Sequence, residues 1–269
     1  MIVLDGAAVR AACSPTAAVS AITAALAAGL DPAADLARTA VPVRSGQFLL
    51  MPSELSPSGR HFGIKVATVA PGRLPRVEAS YLLYDADSLA LVAMLDGTAL
   101  TTLRTPAVSV AAVLPRLPAG PLRLAVLGAG PQAHGHVATL AAHRPPASVT
   151  HLVRRPVPGA LTVDDPRADD VLRAADVIVC ATTARTPLFD AEVVRDTAVV
   201  IAVGTHEPDA REVPAALCAR ATVVVEDAAT ALREAGDVCL AVREGALRED
   251  DPVRQPAFRD GLQQGHARR

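Results

Sequence analysis

The stretch Leu122-Arg123-Leu124-Ala125-Val126-Leu127-Gly128-Ala129-Gly130-Pro131-Gln132-Ala133 restricts the fold of this chain more than any other. Its mostly apolar first half reads as a strand, and residues 132–143 read as a helix. Between them Gly128 permits a tight turn, Gly130 lets the backbone approach a pyrophosphate, and Ala133 allows close helix–strand contact. Backbone amides and the helix dipole then receive the negative charge. A glycine-rich turn that binds nothing shares these letters. The strand before it and the helix after it favour a dinucleotide loop made by Gly128, Ala129, Gly130, Pro131, Gln132 and Ala133.

Strands alternate with helical stretches on both sides of this loop. Apolar runs at 122–127, 148–153, 176–181, 198–203 and 221–226 are separated mostly by segments long enough for crossovers, which predicts a doubly wound parallel sheet. Residues 154–163 are too few and too proline-rich for a full crossover helix, so the second half-turn is abbreviated. Earlier in the chain, Ser14 as N-cap, Pro15 and the terminating Gly29 frame a helix over 17–28 whose mostly alanine face requires close packing. Extended segments at 48–51, 63–69, 78–84 and 90–95 follow. They are separated by Gly59, Pro71-Gly72, Pro75 and the turn Asp85-Ala86-Asp87-Ser88. This half reads as a small antiparallel sheet flanked by helices, followed by a helix over 101–114 and a linker over 115–121. The expected fold class is α/β, a Rossmann-type doubly wound parallel sheet plus a smaller α+β substrate and dimerisation domain. The first domain covers 1–118 and the dinucleotide domain 119–242. Residues 243–269 form a charged tail with Pro252 and Pro256, mostly solvated and able to return to the first domain.

Composition excludes several functions. Aromatic residues make up 2% of the chain, with no tryptophan, and the formal charge is −2. Such a chain lacks both the stacking platforms and the basic groove of a nucleic-acid binder. Cys13, Cys180, Cys218 and Cys239 are far apart, without metal-ligand spacing, and are expected as reduced, mostly buried thiols, with no metal site. No run reads as a membrane span, and the first residues have no basic leader, so a soluble cytoplasmic protein without membrane partners is expected.

Candidate site residues lie in both halves. After the second Rossmann strand, His151-Leu152-Val153-Arg154-Arg155 places two guanidiniums where an NAD-binding protein carries an acid. Arg154 and Arg155 suit a 2′-phosphate, favouring NADPH with NADH as the alternative, although a solvated surface pair reads the same way. Thr182 and Gly204, just past expected strands, are further cofactor-binding candidates. Lys65 lies in the apolar run Phe62-Gly63-Ile64-Lys65-Val66-Ala67, where an ammonium reaches an edge or points into a pocket. Arg104 is expected at a helix start, opposing the macrodipole unless an anion is near. By composition alone Arg44, Lys65 and Arg104 read as snorkelling surface residues. His134 and His136, two apart on one helix, do not form a metal pair. His206 follows a parallel strand at the end where ligands bind, and reads equally as a loop cap.

Ordered blocks then resemble the ornithine cyclodeaminase/mu-crystallin family. They are Arg44; Gly63-Ile64-Lys65-Val66; Leu95 through Ala107 with Asp96-Gly97-Thr98 and Arg104-Thr105-Pro106; Gly128 to Ala133; Ala202 to Val213; and Glu234-Ala235-Gly236-Asp237-Val238. The resemblance implies a substrate and dimerisation domain beside a Rossmann domain, an active site between them, and a homodimer. It implies that Arg44 and Lys65 hold a substrate carboxylate, with Lys65 placed for proton transfer. Arg104 then meets substrate or cofactor, and Thr105 meets the cofactor phosphates. His206 stands where cyclodeaminases carry an aspartate that handles the substrate amine, as mu-crystallin also lacks it. The expected activity is therefore NAD(P)H-dependent reduction of a small α-imino (ketimine) carboxylate, such as a pyrroline-2-carboxylate-like compound, with catalytic candidates Lys65, Arg44, Arg104 and His206. The rivals are an ornithine cyclodeaminase forming proline and ammonia, a related amino-acid dehydrogenase, and a non-catalytic dinucleotide-binding protein.

Overall fold

In the computed structural model, residues 1–54, 60–72 and 77–249 are described. Gly59, Pro75 and the tail beyond Glu249, with Pro252 and Pro256, lie outside the described residues. Contacts divide the chain into two compact units, Met1–Thr105 and Pro106–Arg269.

Alternating side chains organise the first unit. Its elements are β1 (Ile2–Leu4), α1 (Gly6–Ala12), α2 (Pro15–Ala27), a 3-10 turn at Pro32–Ala34, β2 (Thr39–Val43), β3 (Gly46–Ser53), β4 (His61–Val69), β5 (Val77–Asp85) and β6 (Leu91–Asp96), which runs into α3 (Gly97–Val113). The sheet order is β1-β6-β5-β4-β3-β2. Every pairing is antiparallel except β1 on β6, so the sheet is mixed rather than purely antiparallel. Along β4, Gly63, Ala67 and Val69 are buried on one face, whereas Thr68 on the other is exposed. The sequence reading missed β1, α1 and β2, which are too short or too weakly patterned to stand out.

Two helices differ from expectation. In α2 the Ser14 hydroxyl accepts a hydrogen bond from the Ala17 N–H at 3.2 Å, and Gly29 ends the helix at φ +97°. Only Ala18 and Val19 are buried there, against the expectation of close packing. Single methyl groups remove little apolar area from water, so an alanine face makes only a weak demand for cover. Helix α3 begins at Gly97 rather than at 101, because the Asp96 carboxylate accepts the Thr98 and Ala99 N–H groups at 2.9 Å each. The division between units falls inside α3, ahead of the 115–121 segment, which opens with a 3-10 turn and buries Leu117.

The second unit contains β7 (Leu122–Leu127), α4 (Pro131–His143), β8 (Pro146–Val153), β9 (Leu161–Thr162), α5 (Ala168–Ala174), β10 (Val177–Cys180), a 3-10 turn at Ala191–Val193, β11 (Val199–Ala202), α6 (Ala215–Arg220), α7 (Ala228–Glu234) and α8 (Gly236–Arg243). The sheet is all parallel, in the order β11-β10-β7-β8-β9, winding outward in both directions from β7. Between β8 and β9 no helix forms, as the proline-rich segment requires. The strand expected over 221–226 is absent: only Val224 makes an isolated bridge between α6 and α7. Its β-branched run is locally strand-like, yet beyond that bridge it forms no ladder, and the sheet ends at β11 on that side.

Buried Val177, Ile178, Val179 and Cys180 anchor the core of this unit. At the start of β10 the Asp176 carboxylate accepts from the Arg123 N–H at 2.8 Å and the Arg195 guanidinium at 2.7 Å. The Arg123 side chain foremost, then Arg195, hold its carboxyl well below the usual range. Cys180, Cys218 and Cys239 are buried and Cys13 half-buried, all as free thiols. Ala246 and Leu247, in the first part of the expected tail, pack against the core of this second unit. Among the described residues no single helix is long and apolar enough to cross a membrane. Ile178→Ala empties a fully buried site and is expected to lower unfolding free energy by about 2–5 kcal/mol in a urea titration; a loss below about 1 kcal/mol contradicts this core assignment.

Candidate active site

Strand register decides which cations of the first unit gather. Lys65 pairs with Met51 on one side and Tyr81 on the other, and Tyr81 pairs in turn with Leu95. Residues paired across strands project from the same face. Thr39 opens β2 opposite Leu50, so Arg38, one residue earlier, is in line with Met51 and enters the row of Lys65. Burial, followed by the guanidiniums of Arg104 and Arg38, lowers the Lys65 pKa to about 8.

Arg44 does not join this group. It occupies the exposed turn closed by the Val43–Gly46 pair. The distance along β3 from Gly46 to Met51, where the Lys65 row crosses, is on the order of 17 Å at ~3.3 Å per residue. Arg38 is the cation that the sequence reading missed. The β-branched Thr39, Val41 and Val43, with proline tolerated on an edge strand, were its weak signal. Arg104 is exposed and lies two turns into α3, not at its start, so the macrodipole argument does not apply to it. Thr105 follows it, half-buried.

In the second unit the glycine loop has the geometry of an anion cradle. Gly128 adopts φ +113°, and a Cβ there would lie 2.6 Å from the Ala181 carbonyl oxygen, so no other residue fits without displacement. Its N–H donates to the Leu152 carbonyl at 2.9 Å, and its own carbonyl accepts from His151 Nδ1 at 2.8 Å. Gly130 is the N-cap of α4, and no atom lies within 4 Å of where its Cβ would be. Backbone and helix N-terminus are therefore open at the point where a pyrophosphate requires both. Ala133 is fully buried against the sheet. Arg154 and Arg155 are exposed just beyond β8, and residues 154–160 contain no acid.

A buried carboxylate that the sequence reading did not single out joins the ends of two strands. Glu212 is fully buried and accepts from the Thr182 N–H and hydroxyl, each at 2.7 Å, and from the Gly204 N–H at 2.6 Å. Burial pushes its carboxyl up, while the Thr182 and Gly204 hydrogen bonds pull it down. Asp237 in turn accepts from the Glu212 and Val213 N–H groups at 2.8 and 2.9 Å and from the Thr205 hydroxyl at 3.2 Å. The polar hydrogens of Thr182 and Gly204 are thus directed at Glu212. With Glu207, Asp209 and Arg211 close before it, Glu212 reads locally as part of a solvated charged loop, so no local signal marked it.

The histidines take different places. His206 is exposed in the loop after β11, beside Glu207 and Asp209, which both bind Arg185 from the loop after β10, with Asp209 at 2.6 Å. His136 is fully buried, with Nδ1 facing the Gln132 carbonyl at 2.8 Å and Nε2 facing the Ser109 hydroxyl at 3.1 Å. Burial lowers its pKa, and the neutral ring joins α4 to α3. His134 is exposed, its ring 5.1 Å from that of His151.

A profile of the ornithine cyclodeaminase/mu-crystallin family matches residues 2–157 and 161–256. The chain belongs to that family. It is 32% identical over 219 residues to Delta(1)-pyrroline-2-carboxylate reductase 2 of Burkholderia ambifaria, covering 76% of this chain and 69% of that protein. It is also 32% identical over 217 residues to ketimine reductase mu-crystallin of Mus musculus, with the same coverage. Among solved structures, Thermococcus litoralis Delta(1)-pyrroline-2-carboxylate reductase, in complex with NADH and L-proline, superposes with a TM-score of 0.81 over 93% of this chain and 83% of that one. Sequence identity to it is 24%, so this likeness establishes the fold.

Glu212→Ala leaves the half-buried Thr182 and Gly204 N–H groups without their acceptor. At ~1–3 kcal/mol for each stranded donor, it is expected to cost about 2–6 kcal/mol in chemical denaturation. A change within ~0.5 kcal/mol refutes the structural role.

Proposed function

We propose that the chain is an NAD(P)H-dependent reductase of a small α-imino carboxylate, a pyrroline-2-carboxylate-like ketimine. The observation that carries this reading is the half-buried Lys65, its pKa lowered to about 8 with Arg104 and Arg38 nearby. A substrate carboxylate beside a half-buried ammonium whose pKa is lowered would be held by it and would help it keep its proton. Arg38, in the position first expected of Arg44, and Arg104 neutralise the substrate carboxylate. Lys65, able to exchange a proton near neutral pH, protonates the imine nitrogen as it becomes an amine. Both 32%-identical relatives are named as reductases of such compounds, which agrees with this chemistry.

A nicotinamide dinucleotide, when bound, would supply hydride for the imine carbon. Gly128, Gly130 and the first turn of α4 hold its pyrophosphate, and Ala133 keeps the helix close to the sheet. Arg154 and Arg155 meet a 2′-phosphate, so NADPH is preferred. Thr105 meets the cofactor phosphates, while Thr182 and Gly204 shape the nicotinamide side through Glu212. His206 replaces the acid that would direct a cyclodeaminase. The chain acts as a homodimer, for which the exposed Val3 and Met94, paired across β1 and β6, provide apolar surface.

Lys65 carries its proton below about pH 8 and loses it above. Accordingly kcat/KM for imine reduction is expected to fall as pH rises through about 8, and Lys65→Met to lower it at least a hundredfold. A flat profile from pH 7 to 9 removes Lys65 as the proton donor. Ammonia release from ornithine without net NADH formation replaces the reductase by a cyclodeaminase. In fluorescence titrations NADPH is expected to bind at least tenfold more tightly than NADH, and the preference to collapse when Arg154 and Arg155 are both changed to Ala. Tighter NADH binding overturns that role.

A further inference from the structure

Beside Lys65, in the same row of the sheet, stands Tyr81. Its side chain does not stand upright over its own strand. A Cβ added to Gly63 would collide with the Tyr81 hydroxyl and ring, so the phenol crosses from β5 and lies over Gly63 on β4. Gly63 and Lys65 are two residues apart and share a face, ~7 Å from each other along the strand. The phenol therefore occupies the sheet surface on one side of the ammonium. On the other side Ala67, 2% exposed, presents only a methyl group. A flat, rigid ring thus borders Lys65 on its Gly63 side, and the absence of a side chain at Gly63 is what makes room for it.

Tyr81 is half-buried, and burial, followed by the nearby Asp35 carboxylate, raises its pKa. The phenol stays neutral across the working pH range. It contributes bulk and a hydroxyl but no charge, so it leaves the neutralisation of a carboxylate to the cations while limiting the volume around them.

We infer that Tyr81 sets the ring-size preference of the enzyme: its phenol, lying over Gly63 beside Lys65, admits a five-membered cyclic α-imino carboxylate and disfavours the six-membered homologue. The inference rests on the reductase reading above. One methylene in a confined apolar pocket is worth roughly 10–200-fold in kcat/KM.

The test compares kcat/KM for five- and six-membered cyclic imino carboxylates in the full chain and in Tyr81→Phe and Tyr81→Val. The unaltered protein is expected to favour the smaller ring at least tenfold. Tyr81→Phe keeps the wall and should keep that ratio within about threefold, whereas Tyr81→Val removes the wall and should shift the ratio about tenfold toward the larger ring. Gly63→Ala, which pushes the far end of the phenol aside, gives a second reading should Tyr81→Val fold poorly: it should change the ratio at least threefold while Tyr81 is intact. An unchanged ratio in the folded Val variant, or in Gly63→Ala where Val does not fold, overturns the inference. So does an equal shift in Phe and Val, which would place the effect in the hydroxyl. Those results leave the reductase reading standing. A protein that reduces neither ring overturns the reductase reading, and the role of Tyr81 falls with it.

Discussion

Glu212 is a carboxylate taken out of water, and the carboxyl ends of β10 and β11 are built around it. Desolvation alone would expel such a group, and what retains it is the convergence of the Thr182 N–H and hydroxyl and the Gly204 N–H. The same contacts act in reverse, giving two strand ends a common acceptor and leaving their loops little freedom. Asp237 extends the arrangement to α8 by accepting the Glu212 and Val213 N–H groups. In an open parallel sheet these strand ends are where ligands bind, so a stability device and a site-shaping device coincide.

The first unit concentrates unfavourable charge. Lys65 shares its surroundings with Arg104 and Arg38, and burial together with those guanidiniums weakens its hold on a proton. A bound carboxylate would relieve the repulsion and strengthen in turn through the low local dielectric, which is how a site recognises an anion and tunes a proton donor with the same side chains. Tyr81, uncharged and rigid, adds shape where the cations add affinity.

The sequence was most legible where local geometry leaves one option. Gly128 needs its positive φ, and the strand and helix around it were read with near-correct bounds because burial on both faces makes parallel strands continuous apolar runs. It was least legible where pairing decides. The run at 221–226 has strand composition but makes only the isolated bridge at Val224, while β2, with its exposed residues and Pro42, is paired despite a weak pattern. Arg38 and Arg44 flank opposite ends of that strand, and only its pairing brings Arg38 rather than Arg44 into line with Lys65.

By itself the amino-acid sequence determined the family, the two-part α/β organisation, the glycine loop and the lysine at the centre of the cation group. These follow from backbone sterics, apolar periodicity and residue type, all of which act over a few neighbours in the chain. Tertiary structure alone decided that Arg38 rather than Arg44 aligns with Lys65, that Tyr81 lies over Gly63, and that Glu212 joins the ends of β10 and β11. Each depends on register or on a contact between residues far apart in sequence, and a shift of one residue in strand pairing would turn the side chains of the Lys65 row to the opposite face.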